Sequence, residues 1–214
     1  GLKFVRGDYF SESALQRANV PAAGKVLILA DTLESGAASE VDSKTVMTVL
    51  TIKAMAKDVY VCAELLDKKY ESYLKQAMCD EILYTRDFSM RMLASTSAIN
   101  GMSHILYELV SHHDNASRLT TEDLPPAMIN KTYGELKAHF HTQHNKVLLG
   151  VLENTGSANR MKIQALREAQ KTSDVSRLVN NLQEVKTMEV NRPLLLPAND
   201  YVIQQYSRLI VLER

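Results

Sequence analysis

The chain has 214 residues, with 25 basic and 25 acidic side chains, 45% hydrophobic and 23% charged. Such a chain has room for one or two hydrophobic cores, which excludes disorder and low complexity. A formal net charge of zero gives no bulk attraction to nucleic acid or anionic lipid, and no local basic patch stands out, so no nucleic-acid partner is expected. The longest apolar stretches, Val26-Leu-Ile-Leu-Ala30 and Val147-Leu-Leu-Gly-Val-Leu152, fall far below the roughly 18 residues of a membrane span. No signal-peptide pattern opens the chain. Cys62 and Cys79 are too few for a disulfide framework and lack metal spacing, so the expected setting is the reducing cytoplasm and the chain itself soluble.

In chain order, Leu2-Lys-Phe-Val-Arg6 reads as a strand, followed by Gly7-Asp8 and a helix from Ser11 to Asn19. Lys25-Val-Leu-Ile-Leu-Ala30 is a continuous apolar run of the kind a parallel strand buried on both faces shows. A helix over 43–57 puts Val46, Val49, Leu50 and Ala54 on one stripe. Val59-Tyr-Val-Cys-Ala63 is a strand, Asp67 an N-cap, and 68–78 a helix with Tyr70, Tyr73, Leu74, Ala77 and Met78 inward. Glu81-Ile-Leu-Tyr84 is a fourth strand. This alternation implies βαβ crossovers and a parallel, doubly wound α/β sheet. Open sheets of this kind usually have about six strands, so the missing strands are expected upstream of Gly1, as in an N-terminally truncated product.

From Phe88 the period becomes helical, giving helices over 87–98 and 102–112 joined by a tight turn at Asn100-Gly101. Beyond Pro125-Pro126 the character shifts to a smaller α+β lobe. It has a short helix opened by Thr132-Tyr-Gly-Glu-Leu136, a strand over 146–152 and a final strand Arg208-Leu-Ile-Val-Leu212. Between these strands a polar insertion, about 154–190, carries Met161, Ile163 and Leu166, then Val175, Leu178, Val179, Leu182 and Val185, the pattern of two amphipathic helices. The expected organisation is a partial Rossmann-like lobe over 1–86, a helix-turn-helix over 87–113, and an α+β lobe over 114–214 that holds the insertion.

Several segments together carry a family resemblance: Phe4-Val-Arg-Gly-Asp8, Ala18-Asn-Val20, Val26-Leu-Ile-Leu-Ala-Asp31, Val41-Asp-Ser-Lys-Thr-Val46 with Leu50-Thr-Ile52, and Cys62-Ala-Glu64. They closely resemble the second half of an RCK domain (regulator of potassium conductance). Ile129-Asn-Lys-Thr-Tyr-Gly-Glu-Leu136, Leu149-Gly-Val151, Asn191-Arg-Pro193 and Arg208-Leu-Ile-Val-Leu212 resemble its C-lobe. The resemblance implies a Rossmann-like N-lobe, a crossover helix pair exchanged across a dimer, and dimers that build an octameric ring. It implies the cytosolic, ligand-sensing gating ring of a prokaryotic potassium channel, coupling nucleotide or divalent-cation binding to a membrane-embedded pore. The alternative is a soluble nucleotide-binding regulator of a potassium transporter. The insertion is not part of the minimal family pattern.

Candidate site residues follow from position and resemblance. Asp8 follows a strand and a glycine at the carboxyl edge of the sheet, where open α/β folds bind ligands, and the resemblance puts adenosine recognition there. The other reading of Asp8 is a helix-start carboxylate favoured by the macrodipole. Ala30, small enough for close approach, and Asp31, able to reach a ribose, end the next strand, although loop chemistry also explains Asp31. These three are the candidates for NAD or another adenine nucleotide. The phosphate-cradling Gly-x-Gly-x-x-Gly turn does not occur in the chain. The loop with Asp31, Glu34, Glu40 and Asp42, and Glu64 on the neighbouring strand, offers the carboxylates that Ca2+ wants. The resemblance puts calcium ligands at Asp42 and Glu64, but Glu64-Leu65-Leu66 departs from the Ala-Glu-x-Glu pattern, and Asp42 also reads as the cap of a helix beginning at Ser43. His139, His141 and His144, and the adjacent His112 and His113, read as solvated helix ends rather than zinc ligands. Met90, Met92 and Met102 read as packing at an adaptable helix interface. No nucleophile elbow, HExxH, P-loop or CxxC pattern occurs, so no enzymatic activity is expected.

Overall fold

The computed structural model describes residues 1–32, 37–111, 117–140, 146–172 and 174–213. They gather into two compact units, one of residues 1–91 with 156–186 and the other of 92–155 with 187–214.

In the first unit, short apolar runs separated by helices form a three-stranded parallel sheet, β1 (Lys25–Ile28), β2 (Tyr60–Glu64) and β3 (Glu81–Leu83), in that spatial order. Lys25 faces Tyr60 across the first pair, and Cys62 faces Glu81 across the second. Strand β2 alternates, with Val61 and Ala63 fully buried between half-buried neighbours, so one face of the sheet meets the core. That core joins Ile28, Val61 and Ala63 to Val49 and Ile52 of α2 (Ala38–Met55), Leu74 of α3 (Glu71–Gln76) and Leu15 of α1 (Glu12–Arg17). The expected double burial of β1 is not found, since Leu27 and Leu29 are 59% and 64% exposed. Among the described residues only its Ile28 face is covered.

The strand expected over residues 2–6 is also not found. The segment has no regular structure, and Leu2 and Phe4 are each 91% exposed. A strand exists only as part of a hydrogen-bonded ladder, and among the described residues this segment joins none. Tyr73, expected inward, is exposed on the outer side of α3. Asp67 does cap, accepting from the Lys69 amide at 3.0 Å at the head of the single 3₁₀ turn that leads into α3.

The two further helices are α4 (Thr85–Ala98) and α5 (Met102–Val110), and Gly101 between them takes φ 80°. A left-handed residue there reverses the chain without the steric cost a Cβ would bring. Neither helix has a buried residue, and Phe88, Leu93, Ile105 and Val110 are exposed.

The second unit holds an antiparallel sheet in the order β4 (Arg118–Asp123), β7 (Arg208–Glu213), β5 (Lys146–Glu153), β6 (Arg192–Leu195). Its core is Tyr133, Leu136 and Phe140 of α6 (Tyr133–Phe140) packed with Val151, Ile203, Leu209 and Val211. Helix α6 starts in a capping box: the Thr132 hydroxyl accepts from the Glu135 amide, and Glu135 takes the Thr132 amide at 2.8 Å. The insertion forms α7 (Ala158–Ala169) and α8 (Val175–Thr187), as its two apolar periods predict. Among the described residues no helix is long and apolar enough to cross a membrane.

Candidate functional site

The carboxyl ends of the parallel strands are drawn together by one side chain. Glu64, the last residue of β2, accepts the Ala30 amide at 2.9 Å through Oε2 and the Thr85 hydroxyl at 2.6 Å through Oε1. Ala30 lies two residues beyond β1, and Thr85 begins α4 just after β3. The Glu64 carboxylate therefore ties its own strand to the exits of both neighbours, at the edge where open α/β sheets take ligands.

Asp42 performs a related task from the helix side. Its helix begins at Ala38, with Ala37 in the cap position, so the expectation that Asp42 caps a helix starting at Ser43 is corrected. Ala38, Ser39 and Glu40 extend the helix N-terminally, with Glu40 placing an acid in the first turn. Asp42, a turn inside, is fully buried, and its two oxygens accept the Leu66 and Asp67 amides, each at 2.9 Å. It thereby fixes the backbone that leaves β2 immediately after Glu64. Asp67 is in turn lowered from the usual carboxylate range, first by the Lys69 amide and then by the Lys69 ammonium.

The other candidates are placed as follows. Asp8 is exposed, and its carbonyl accepts from the Ser11 amide at 2.9 Å at the start of α1. Ala30 and Asp31 are half-buried and adjacent in the loop after β1. The chain thus brings Ala30, Asp31 and Glu64 to one sheet edge, and Asp42 to the turn that follows it. Glu34 lies outside the described residues, as do His112, His113, His141 and His144. Among the described residues no three or more His, Cys, Asp or Glu side chains gather as a cation cage. The four oxygens of Asp42 and Glu64 accept from the Leu66, Asp67 and Ala30 amides and the Thr85 hydroxyl, whereas Ca2+ takes six to eight oxygen ligands.

A second buried constellation escaped the sequence reading. Lys53 donates to Asp80 at 2.6 Å and to the Val59 carbonyl at 2.8 Å, both side chains being nearly inaccessible. Asp80 also accepts the Val61 amide at 2.6 Å and the Ala158 amide at 2.5 Å. The apolar neighbourhood of Cys79 and Val59 concealed it, because nothing local marks a partner at residue 158.

Comparison with known proteins now bears on this edge. Residues 1–63 match the family model described as the calcium-activated potassium channel slowpoke-like RCK domain. That segment is similar to an RCK domain. The RCK match takes in Asp8, Ala30, Asp31 and Asp42 and stops one residue before Glu64. The chain is 27% identical over 114 residues to the calcium-gated potassium channel TvoK of Thermoplasma volcanium, covering 52% of this chain and 32% of that one. It is 24% identical over 162 residues to the putative potassium channel protein YugO of Bacillus subtilis, covering 72% of this chain and 46% of that one. The chain thus spans less than half the length of these curated relatives. In fold it is similar to the human SLO3 gating ring, with a TM-score of 0.63 at 14% identity over 98% of this chain and 36% of that chain.

Proposed function

We propose that this chain is a cytosolic, non-enzymatic ligand-sensing RCK domain of a gating ring, which couples nucleotide or divalent-cation binding to the opening of a membrane-embedded potassium pore. The observation that carries this reading is that the RCK-matched segment leads into the sheet edge where Ala30, Asp31, Glu64 and Thr85 lie together. A channel is favoured over a transporter regulator because both curated relatives are described as potassium channels.

For NAD or an adenine nucleotide, Asp8 and Asp31 supply carboxylates that can accept from an amino group or ribose hydroxyl, and Ala30 leaves room for close approach. For Ca2+, the candidates remain Asp42 and Glu64, and a cation at Glu64 would compete with the Ala30 amide and the Thr85 hydroxyl for its oxygens. Either ligand would shift the ring only through its differential affinity for the pore-open arrangement. The lobes proposed are 1–86, 87–113 and 114–214 with the insertion at about 154–190. The exposed apolar residues of α4 and α5 support their burial between subunits in a homo-oligomer, dimers assembling into an octameric ring.

The test is to titrate the gene product that carries this chain with NAD, AMP, ADP, ATP and calcium chloride by calorimetry and to record potassium current in bilayers. Heat and current changes that Asp31→Asn abolishes support the nucleotide edge, and changes with calcium that Glu64→Gln abolishes support the cation reading. No heat and no current change with any of the five sinks the ligand-sensing proposal.

A further inference from the structure

The insertion leaves the antiparallel-sheet unit and comes back to it. Its neck is closed, with the Asn191 amide donating to the Asn154 carbonyl at 3.1 Å and Asn154 Nδ2 to the Glu189 carbonyl at 2.9 Å. Both asparagines take positive φ, 50° and 55°, which their side chains tolerate better than most. Yet residues 156–186 belong to the parallel-sheet unit.

What keeps them there is concentrated in one turn. Ser157 stands in the N-cap position of α7 but makes no side-chain cap, and its buried hydroxyl has no partner among the described residues. Asp80, 78 positions earlier, takes that role by accepting the Ala158 amide. A carboxylate at a helix N-terminus gains from both the free amide and the macrodipole, and Lys53 compensates its buried charge. Two exposed contacts flank it, Asn159 to Asp58 at 3.1 Å and Arg160 to Asp58 at 3.4 Å. Beyond this turn little apolar surface is committed: α7 buries Ala158, Met161 and Ala169, and α8 buries none. A segment with few buried contacts and one strong anchor is the kind that opens as a local unit.

We infer that Asp80 is a latch that holds the α7–α8 hairpin on the parallel-sheet unit, and that the hairpin is a releasable part of that unit. Latched, the chain passes between the units at 91/92, 155/156 and 186/187. This inference does not depend on which ligand the sheet edge takes.

The experiment is hydrogen exchange by mass spectrometry on the 214-residue chain and two variants. Ala158→Pro removes the donated amide at the first helical position, where proline suits a helix, and Ser157 at ψ 133° already has the geometry that precedes a proline. Asp80→Asn removes the charge but keeps an acceptor. The latch predicts that amides of residues 159–187 exchange about tenfold faster or more, the scale of losing one charge-assisted hydrogen bond, while those of β2 and α2 keep their protection. Unchanged hairpin exchange in Ala158→Pro overturns the latch. So does loss of far-ultraviolet circular dichroism in both variants, which would make Asp80 a core residue without local control.

Discussion

Glu64 Oε2 lies 2.9 Å from the Ala30 amide nitrogen, so the end of the central parallel strand holds the exit of the edge strand. Because Oε1 takes the Thr85 hydroxyl at the same time, cutting one arm isolates its contribution. Thr85→Ala is expected to lower unfolding stability by about 0.5–1.5 kcal/mol, the usual net worth of one hydrogen bond, and Thr85→Ser to restore most of it. Urea denaturation of the three proteins checks this, and equal midpoints would mean that water replaces the hydroxyl without loss.

Asp42 is the costlier contact. Truncation to alanine strands two amides, those of Leu66 and Asp67, and leaves a void beside a fully buried position. Asp42→Ala should therefore cost roughly 3 kcal/mol or more, with Asp42→Asn between it and the parent. Calorimetric melting gives the order directly, and a parent-like melting temperature for Asp42→Ala would contradict it.

Gly150 is required by a close approach rather than by its φ. A Cβ there would stand 2.0 Å from the Leu194 carbonyl oxygen and 3.0 Å from the Leu195 Cα, both backbone atoms of β6. Backbone cannot swing aside as a flexible side chain can, so Gly150→Ala must push β5 from β6 at a cost of about 1–3 kcal/mol, as for overpacking generally. Faster amide exchange at Leu194 and Leu195 would accompany it.

Acid should destabilise the chain through its paired carboxylates. Glu213 is held below the usual carboxylate range by Arg118 first and then Lys146, and Asp87 by Arg91 first and then Lys68. A depressed folded-state pKa contributes stability above the unfolded value and loses it as pH falls through the folded value. The melting temperature should stay level from about pH 7 to pH 5 and drop below about pH 4. Added salt should reduce the drop, since these exposed pairs are screened.

Burial pushes the Cys79 thiol up to about 12 and raises Cys62 as well. Thiolate is the reactive form, so at pH 7.5 the native chain should react with iodoacetamide slowly, at Cys62 before Cys79. Both should react promptly in denaturant. Rapid labelling of native Cys79 would show that the core around β2 and β3 opens.

Much of this architecture was legible in the sequence because its cause is local. Apolar periodicity placed the strands at 25–30, 59–63 and 81–84 and both insertion helices, and Thr132-Tyr-Gly-Glu-Leu136 marked the opening of a short helix. Periodicity failed where a segment needs a neighbour. Residues 2–6 have a strand's composition and no ladder to join, and β1 has a buried strand's composition but a covered face on one side only.

The sequence by itself determined the α/β alternation, the change to an antiparallel lobe and the RCK resemblance, since each depends on side-chain character read within one turn or one strand. Only the tertiary structure decided what the carboxylates do. Asp42 reaches 24 and 25 positions ahead, Glu64 back 34, and Asp80 ahead 78. A carboxylate carries no mark of which distant amide will need an acceptor. That need arises only when folding removes the amide from water, and the chain that meets it is whichever one packing has brought alongside.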